Sequence, residues 1–332
     1  MKLYIADAFT EEAFGGNPAG VVLLEPSSPF PPEETMRKIA AELRYSETAF
    51  VRPAAPCGGA AGGETAGASA SFALRYFTPV AEVELCGHAT IAAFCVLQDA
   101  GLALPGRSYS IATGAGTLGV EIDGGGRVMM ECGNSETLSC SGDIDGAEAL
   151  ARLYGAMGRS GETGANVNVP RVFPPGGAPR LFPRIAAAGL PDIMLPVESR
   201  EALNALAPDM AALARLSEEY GVTGVHAFAL NDGEGPSHIT AFCRNFAPLF
   251  GIPEEAATGT ASGALVYYLH QAGLLRPGDS CAFLQGEAMG RPSMIYGRLL
   301  SRGSASNAGE PARISVQVGG SAVLLVRGQW LP

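Results

Sequence analysis

The sequence predicts an α+β fold built as two similar domains, each a curved β-sheet or barrel wrapped around a central apolar helix. Three observations predict it. The stretch Glu84-Leu85-Cys86-Gly87-His88-Ala89-Thr90 leads into an apolar run over 91–97, and Gly101 stands where a helix C-cap glycine would. The pattern returns as Thr258-Gly259-Thr260-Ala261 with an apolar run over 264–269, and both segments close on Ala-Gly-Leu, at 100–102 and 272–274. Upstream, Arg75-Tyr76-Phe77-Thr78-Pro79 is echoed by Arg244-Asn245-Phe246-Ala247-Pro248. Matched spacing at both ends is a two-fold internal repeat. A helix that is apolar all round must be enclosed, and a sheet curved around it is the economical wrapping. The predicted domains are 1–132, joined by a closing strand near 320–330, and 133–319.

Each element has its own local reason. Residues 3–8 read as a strand, Phe14-Gly15-Gly16-Asn17-Pro18-Ala19-Gly20 as a turn, and 21–24 as the next strand. Pro31-Pro32-Glu33-Glu34 opens a helix to about residue 43, with acids at its positive end. Residues 45–51 alternate as a strand with Glu47 on the face of Tyr45, Ala49 and Val51. The Gly/Ala-rich stretch 57–71 reads as a loop. Strands are predicted over 72–77, 108–112, 116–122 and 127–132. Proline-rich irregular chain is predicted over 170–196, helices over 201–206 and 209–220, and strands over 225–230 and 238–242. Phe283-Leu284-Gln285-Gly286-Glu287 precedes the turn Met289-Gly290-Arg291-Pro292, and strands over 313–318 and 321–327 close the chain.

Composition narrows the function. A net charge of −11 argues against nucleic acid or an anionic membrane as partner, and no apolar run reaches a membrane span. Seven scattered cysteines without a CxxC pair read as free thiols in a reducing, cytoplasmic compartment, and the N-terminus lacks a secretory pattern. Four histidines, none at ligand spacing, predict no metal. The glycine-rich turn near residue 16 lacks the Lys-Ser/Thr ending of a phosphate loop.

The functional candidates follow from the repeat. A helix that starts in a glycine turn presents free N–H groups and a positive dipole end, so Gly87 and Gly259 mark two openings for an anion such as a substrate carboxylate. The two starts are predicted to face one cleft. His88 stands at the first opening. Glu47 is either a functional carboxylate or, on an edge strand, a solvated one. Cys86 reads as a buried thiol near the site, and His226, His238 and His270 as surface or structural residues.

The motifs together resemble the PhzF-like family of phenazine-biosynthesis-related isomerases, which shares the diaminopimelate epimerase fold. They are Asp7-Ala8-Phe9 with Gly16-Asn17-Pro18-Ala19-Gly20, Ser46-Glu47-Thr48-Ala49-Phe50, Phe77-Thr78-Pro79 with Cys86-Gly87-His88-Ala89-Thr90, Ala257-Thr258-Gly259-Thr260-Ala261, and Gln285-Gly286-Glu287 before Gly290-Arg291-Pro292. The resemblance implies a cofactor-independent isomerase that moves a proton between carbons of a small carboxylate-bearing substrate, commonly as a homodimer. Glu47, His88 and Glu255 fall on catalytic positions, and Ser46, Gly87, Gly259 and Thr260 on substrate-binding ones. Glu255 and Thr260 stand where the family has Asp and Ser. The epimerase branch uses two cysteines. Cys86 matches the first and Thr258 replaces the second, which removes a two-thiol mechanism. The alternatives are a racemase or epimerase pairing Glu47 with a second base, and a catalytically silent dimeric binding protein.

Overall fold

The structure, a computed structural model, describes residues 1–26, 28–54, 71–158, 180–233, 235–302 and 313–331. The chain divides into two compact units, Met1–Glu131 with Gly319–Pro332, and Cys132–Val318. Both are mixtures of strands and a few helices.

Unit one begins with β1 (Lys2–Ala8) and β2 (Asn17–Leu23), then helix α1 (Glu33–Leu43), β3 (Thr48–Pro53) and β4 (Phe72–Phe77). The short β5 (Glu82–Val83), helix α2 (Gly87–Asp99), β6 (Arg107–Thr113) and β7 (Gly116–Ile122) follow, and β8 (Val128–Asn134) runs from unit one into unit two. A closing strand, Ala322–Gln329, pairs antiparallel with β1. Acidic Glu33 and Glu34 sit at the positive end of α1, and Arg44 ends it in the left-handed conformation at φ 60°. Its face Met36, Ile39 and Ala40 packs on Val22, Phe50 and Phe77. Helix α2 packs against β1, β2, β3 and the closing strand, and nine of its thirteen residues are buried, as an all-round apolar helix requires.

Unit two contains β9 (Leu138–Asp143), helix α3 (Ala147–Ala156), β10 (Arg184–Ala188), β11 (Leu190–Pro196), and helices α4 (Arg200–Asn204) and α5 (Met210–Tyr220). Then come β12 (Val225–Leu230), β13 (Ala241–Ala247), β14 (Ile252–Glu255), helix α6 (Gly259–Gln271), β15 (Ser280–Gln285), β16 (Ser293–Arg302) and β17 (Arg313–Gly320). The closing strand of unit one is β18. Ser199 and Asp209 cap α4 and α5 by accepting from the Ala202 and Ala212 amides. One sheet face, with Ile193, Leu195, Val225, Ala227 and Phe246, packs on α3, α4 and α5. The other lies under α6, where Phe228 meets Tyr268.

The pairing pattern shows the repeat more fully than the motifs do. In unit one β1 pairs antiparallel with β2, β2 parallel with β3, β3 antiparallel with β4, β4 antiparallel with β5 and parallel with β6, and β6 antiparallel with β7. In unit two β10 to β16 repeat that series step for step. Both apolar helices end alike. Gly101 and Gly273 have φ of 69° and 75°. Leu102 and Leu274 donate back to the carbonyls of Leu97 and Leu269, and Gly101 and Gly273 to those of Gln98 and His270. That is a Schellman ending closed by a left-handed glycine. The echoed arginines act alike too. The Arg75 guanidinium holds Glu82 at 2.7 and 2.5 Å, and that of Arg244 holds Glu254 at 2.8 and 2.9 Å.

Several predicted elements are displaced. The strand read over 45–51 starts at Thr48, with Tyr45 and Ser46 in a bend and Glu47 between that bend and the strand, because left-handed Arg44 must redirect the chain. The read alternation is absent: Thr48, Ala49, Phe50 and Val51 are all buried, since α1 covers one face and α2 the other. Part of the irregular stretch read over 170–196 is β10 and β11. Pro191 and Pro196 fall near the start and at the end of β11, where proline does not interrupt the ladder. The strand read over 238–242 begins at Ala241, because the Asn231 amide nitrogen donates to the carbonyls of Pro236 and Ile239 and holds the chain in a loop. The loop read over 57–71 lies, but for Ser71, outside the described residues.

Candidate active site

The first cluster belongs to unit one and forms where the bend before β3 meets the start of α2. Cys86, in extended conformation, precedes the helix as its N-cap and makes no side-chain cap bond. His88 is buried in that turn. Its Nε2 lies 3.3 Å from Ser46 Oγ and 3.3 Å from Glu47 Oε2, and its Nδ1 lies 3.4 Å from Cys86 Sγ. Glu47 Oε2 is shielded from solvent and lacks a hydrogen-bond partner, so its contact with the imidazole is close without being aligned. A buried carboxylate oxygen with an open lone pair is poised to accept a proton. Behind the cluster, the buried Tyr76 hydroxyl lies 2.7 Å from Thr90 Oγ1, which donates to the Cys86 carbonyl at 2.7 Å. This chain of hydroxyls ties the first turn of α2 to β4.

The structure thus brings Ser46, Glu47 and His88 together, with Gly87 half-buried in the same turn. Sequence reasoning placed Cys86 nearby, and its thiol is indeed buried. The donor atoms of Glu47, Cys86 and His88 all lie within 4.8 Å of one another, so this set could hold a metal ion. Histidine spacing could not reveal it, because ligands that gather through the fold need not be near in sequence. His88 Nε2 is the nitrogen that faces both, 3.3 Å from Glu47 Oε2 and 4.0 Å from Cys86 Sγ.

The second cluster belongs to unit two and forms at the start of α6. Gly259 is buried, and Thr258, Thr260 and Glu255 are half-buried. The hydroxyl bonded to Glu255 is that of Thr258, which donates to Oε2 at 2.6 Å, while Thr260 stands in the first helical turn. Gln285 Nε2 donates to the Glu255 carbonyl at 2.7 Å and to Thr258 Oγ1 at 3.2 Å. Gln285 belongs to a motif that by itself assigns it no role. Its position opposite Cys243 on β13 gives one, fixing the approach to α6. Cys132 lies against the same helix, its Sγ 3.8 Å from the Gly259 carbonyl, and burial pushes its thiol up to about 12.

The remaining histidines are surface or structural residues, and one buried carboxyl stands apart from the motifs. His226 is fully buried, with Nδ1 3.0 Å from Asn245 Oδ1 and Nε2 without a partner, and burial lowers it to about 4. It is therefore neutral at physiological pH. His238 is exposed, and His270 Nδ1 lies 2.9 Å from the Leu275 carbonyl. Asp192, which no motif singles out, is buried with Oδ1 unpartnered.

The comparisons bear on the chain as a whole. The family model for phenazine biosynthesis-like proteins, PhzC-PhzF, matches residues 6–328. The chain is 30% identical over 339 residues to a protein of Escherichia coli K12 named uncharacterized isomerase YddE, covering 99% of this chain and 98% of the relative. It is 33% identical over 334 residues to an uncharacterized isomerase of Deinococcus radiodurans, covering 97% and 92%. In fold it is similar to a Bacillus anthracis phenazine biosynthesis protein of the PhzF family, at TM-score 0.76 and 22% identity over 100% and 99% of the two chains. It is also similar to a probable proline racemase of Agrobacterium radiobacter, at TM-score 0.60 and 14% identity over 99% and 92%. The chain belongs to the PhzC-PhzF, phenazine biosynthesis-like family of isomerases.

Proposed function

We propose that this isomerase works without a cofactor, moving a proton between carbons of a small carboxylate-bearing substrate with Glu47 as the acid/base. The observation that carries the reading is the buried, unbonded Oε2 of Glu47 beside His88 at the start of α2. Glu47 removes the proton and returns it elsewhere on the same molecule. His88 orients the carboxylate and steadies its two protonation states, with Ser46 on the same nitrogen. The open backbone at Gly87 and the positive end of α2 suit the substrate carboxylate. Gly259 and Thr260 offer the same elements in unit two, and Glu255 assists proton transfer. A positioned side chain supplies roughly 10²–10⁴-fold. Electrostatic stabilisation of the enolate-like state supplies the rest.

A racemase or epimerase is the second reading, favoured by Cys86 Sγ lying 3.4 Å from His88 Nδ1 as another proton carrier. A panel of small carboxylic acids incubated with the protein in deuterated water and followed by proton NMR separates the readings. The first requires an isomerised product with hydrogen moved from one carbon to another, deuterium entering at the new carbon to the extent that the proton on Glu47 exchanges with solvent before its return, and Cys86→Ser retaining the activity. Inversion at one carbon without isomerisation, lost in Cys86→Ser, would establish the second in its place.

A further inference from the structure

The starts of α2 and α6 are counterparts in the repeat, and they carry different chemistry. Gly20 N donates to the Glu47 carbonyl as β2 meets β3, and Ile193 N donates to that of Gly224 as β11 meets β12. Gly224 therefore stands where Glu47 does. No side chain fits there, since a Cβ on Gly224 would lie 2.0 Å from the Phe246 carbonyl oxygen. Cys86 precedes α2 and His88 is its second residue, and Thr258 and Thr260 hold those places at α6. Unit one thus has a thiol, an imidazole and a carboxylate where unit two has two hydroxyls and bare backbone. Among the described residues, Glu47, Cys86 and His88 form the one group of such side chains gathered closely enough to share an ion.

Their spacing is close to what zinc demands. A tetrahedral zinc ion sets its ligands about 3.4 Å apart from nitrogen to oxygen and about 3.6 Å apart from nitrogen to sulfur. His88 Nε2 lies 3.3 Å from Glu47 Oε2 and 4.0 Å from Cys86 Sγ. The first edge already fits. The second needs the thiol, now 3.4 Å from Nδ1, to move toward Nε2 by about 0.4 Å. Ser46 Oγ, 3.3 Å from Nε2, is the group that yields that nitrogen to the ion. The Thr90 hydroxyl bonded to the Cys86 carbonyl holds the turn that carries two of the three ligands. Glu47 Oε2 is shielded from solvent and has no hydrogen-bond partner, so an ion gives a buried oxygen the contact it lacks. A sulfur, a nitrogen and an oxygen together suit zinc rather than magnesium or calcium, which take oxygen ligands. The carboxylate and the thiolate balance the two positive charges, and the thiol proton leaves to solvent.

We propose that Glu47, Cys86 and His88 form a zinc-binding site, and that zinc bound there shuts the isomerase off. The ion occupies the Oε2 lone pair that otherwise accepts the substrate proton, and it pins the carboxylate against His88. Zinc is here a reversible inhibitor that a chelator removes, and the reaction itself does not use it. The shut-off rests on the role given above to Glu47, whereas the site rests on the three ligands alone.

The test uses the full chain freed of metal, with cobalt(II) as the coloured stand-in for zinc. Cobalt should bind once per chain and give an intense sulfur-to-cobalt charge-transfer band in the near ultraviolet, which an equivalent of zinc removes. The band should vanish in Cys86→Ser. In Glu47→Gln the affinity should fall by roughly tenfold or more, since losing even a residue that only supports a ligand costs about 10–100-fold. X-ray absorption of the zinc-loaded native chain, which needs no variant, should show a single sulfur at about 2.3 Å beside nitrogen and oxygen ligands. No charge-transfer band in the native chain, a band that persists in Cys86→Ser, or zinc held without sulfur overturns the site and leaves the role of Glu47 standing. Zinc held with that single sulfur while substrate protons still exchange at the native rate overturns the shut-off, and the role of Glu47 with it.

Discussion

Replacing Thr90 by valine should destabilise the protein more than replacing its partner Tyr76 by phenylalanine, and doing both should cost no more than the valine alone. The reason is the direction of the hydroxyl chain. Thr90 Oγ1 donates to the Cys86 carbonyl, so the Tyr76 hydroxyl donates to Thr90. Both side chains are fully buried. Tyr76→Phe removes the end of the chain and leaves Thr90 bonded to Cys86, a net loss of about 0.5–1.5 kcal/mol. Thr90→Val strands the Tyr76 hydroxyl away from water at about 1–3 kcal/mol, in addition to the lost bond itself. The Cys86 carbonyl still accepts from the Thr90 amide at 3.1 Å, so it is not orphaned. In the double variant the stranded hydroxyl is gone, and the coupling should be about 1 kcal/mol or more in favour of the pair. Urea unfolding followed by circular dichroism at neutral pH measures all four corners of the cycle. Simple additivity of the two single losses would refute the directed chain, and with it the claim that β4 anchors the turn carrying His88.

Further outcomes follow from the two units. Arg244→Ala should cost about 3–5 kcal/mol, because it leaves Glu254 and the Leu203 and Leu206 carbonyls without their buried partner. Its counterpart Arg75→Ala should cost about 1 kcal/mol or less, the Arg75 side chain being 31% exposed against 9% for Arg244. Equal losses in chemical unfolding would contradict the difference in burial. Gly263→Ala gains about 1 kcal/mol of helix propensity, but its Cβ would lie 2.7 Å from Cys132 Sγ, and overpacking costs about 1–3 kcal/mol. A net loss relieved by Cys132→Ala is expected, and a more stable single variant would show that α6 has room. His226 binds a proton less readily folded, at about 4, than unfolded, near 6.5. Its contribution is thus fully present above 6.5 and falls by about 1.4 kcal/mol per pH unit as pH drops toward 4. His226→Gln should flatten stability against pH in that window, and an unchanged slope would mean that His226 is not the group responsible.

What the sequence made legible depended on what each signal encodes. The apolar helices were plain because all-round burial writes itself into composition, and because Gly101 and Gly273 are forced by the left-handed ending. The repeat was visible at Arg75 and Arg244 because both make the same bidentate bond to a neighbouring strand. Thr48–Val51 kept its strand but not its alternation, since burial on both faces erases the period of two. β10 and β11 were hidden by prolines that stand where they do no harm. Glu47 and His88 were legible through motif, whereas their contact with Cys86 is a product of the fold. Asp192 carried no signal, because a lone aspartate among apolar residues looks like any loop acid until the strand register places it beside Gly224.

The central claim is that Glu47 carries the proton, and the most direct measurement is solvent deuterium exchange at the reacting carbon of an identified substrate, native chain against Glu47→Gln. Glutamine keeps the shape beside His88 and removes the exchangeable proton. The fold and ligand affinity of Glu47→Gln should stay nearly native, with exchange and isomerisation both slower by roughly 10²–10⁴-fold or more. Exchange by Glu47→Gln at the native rate would contradict it, and the proton would then have to travel through another group.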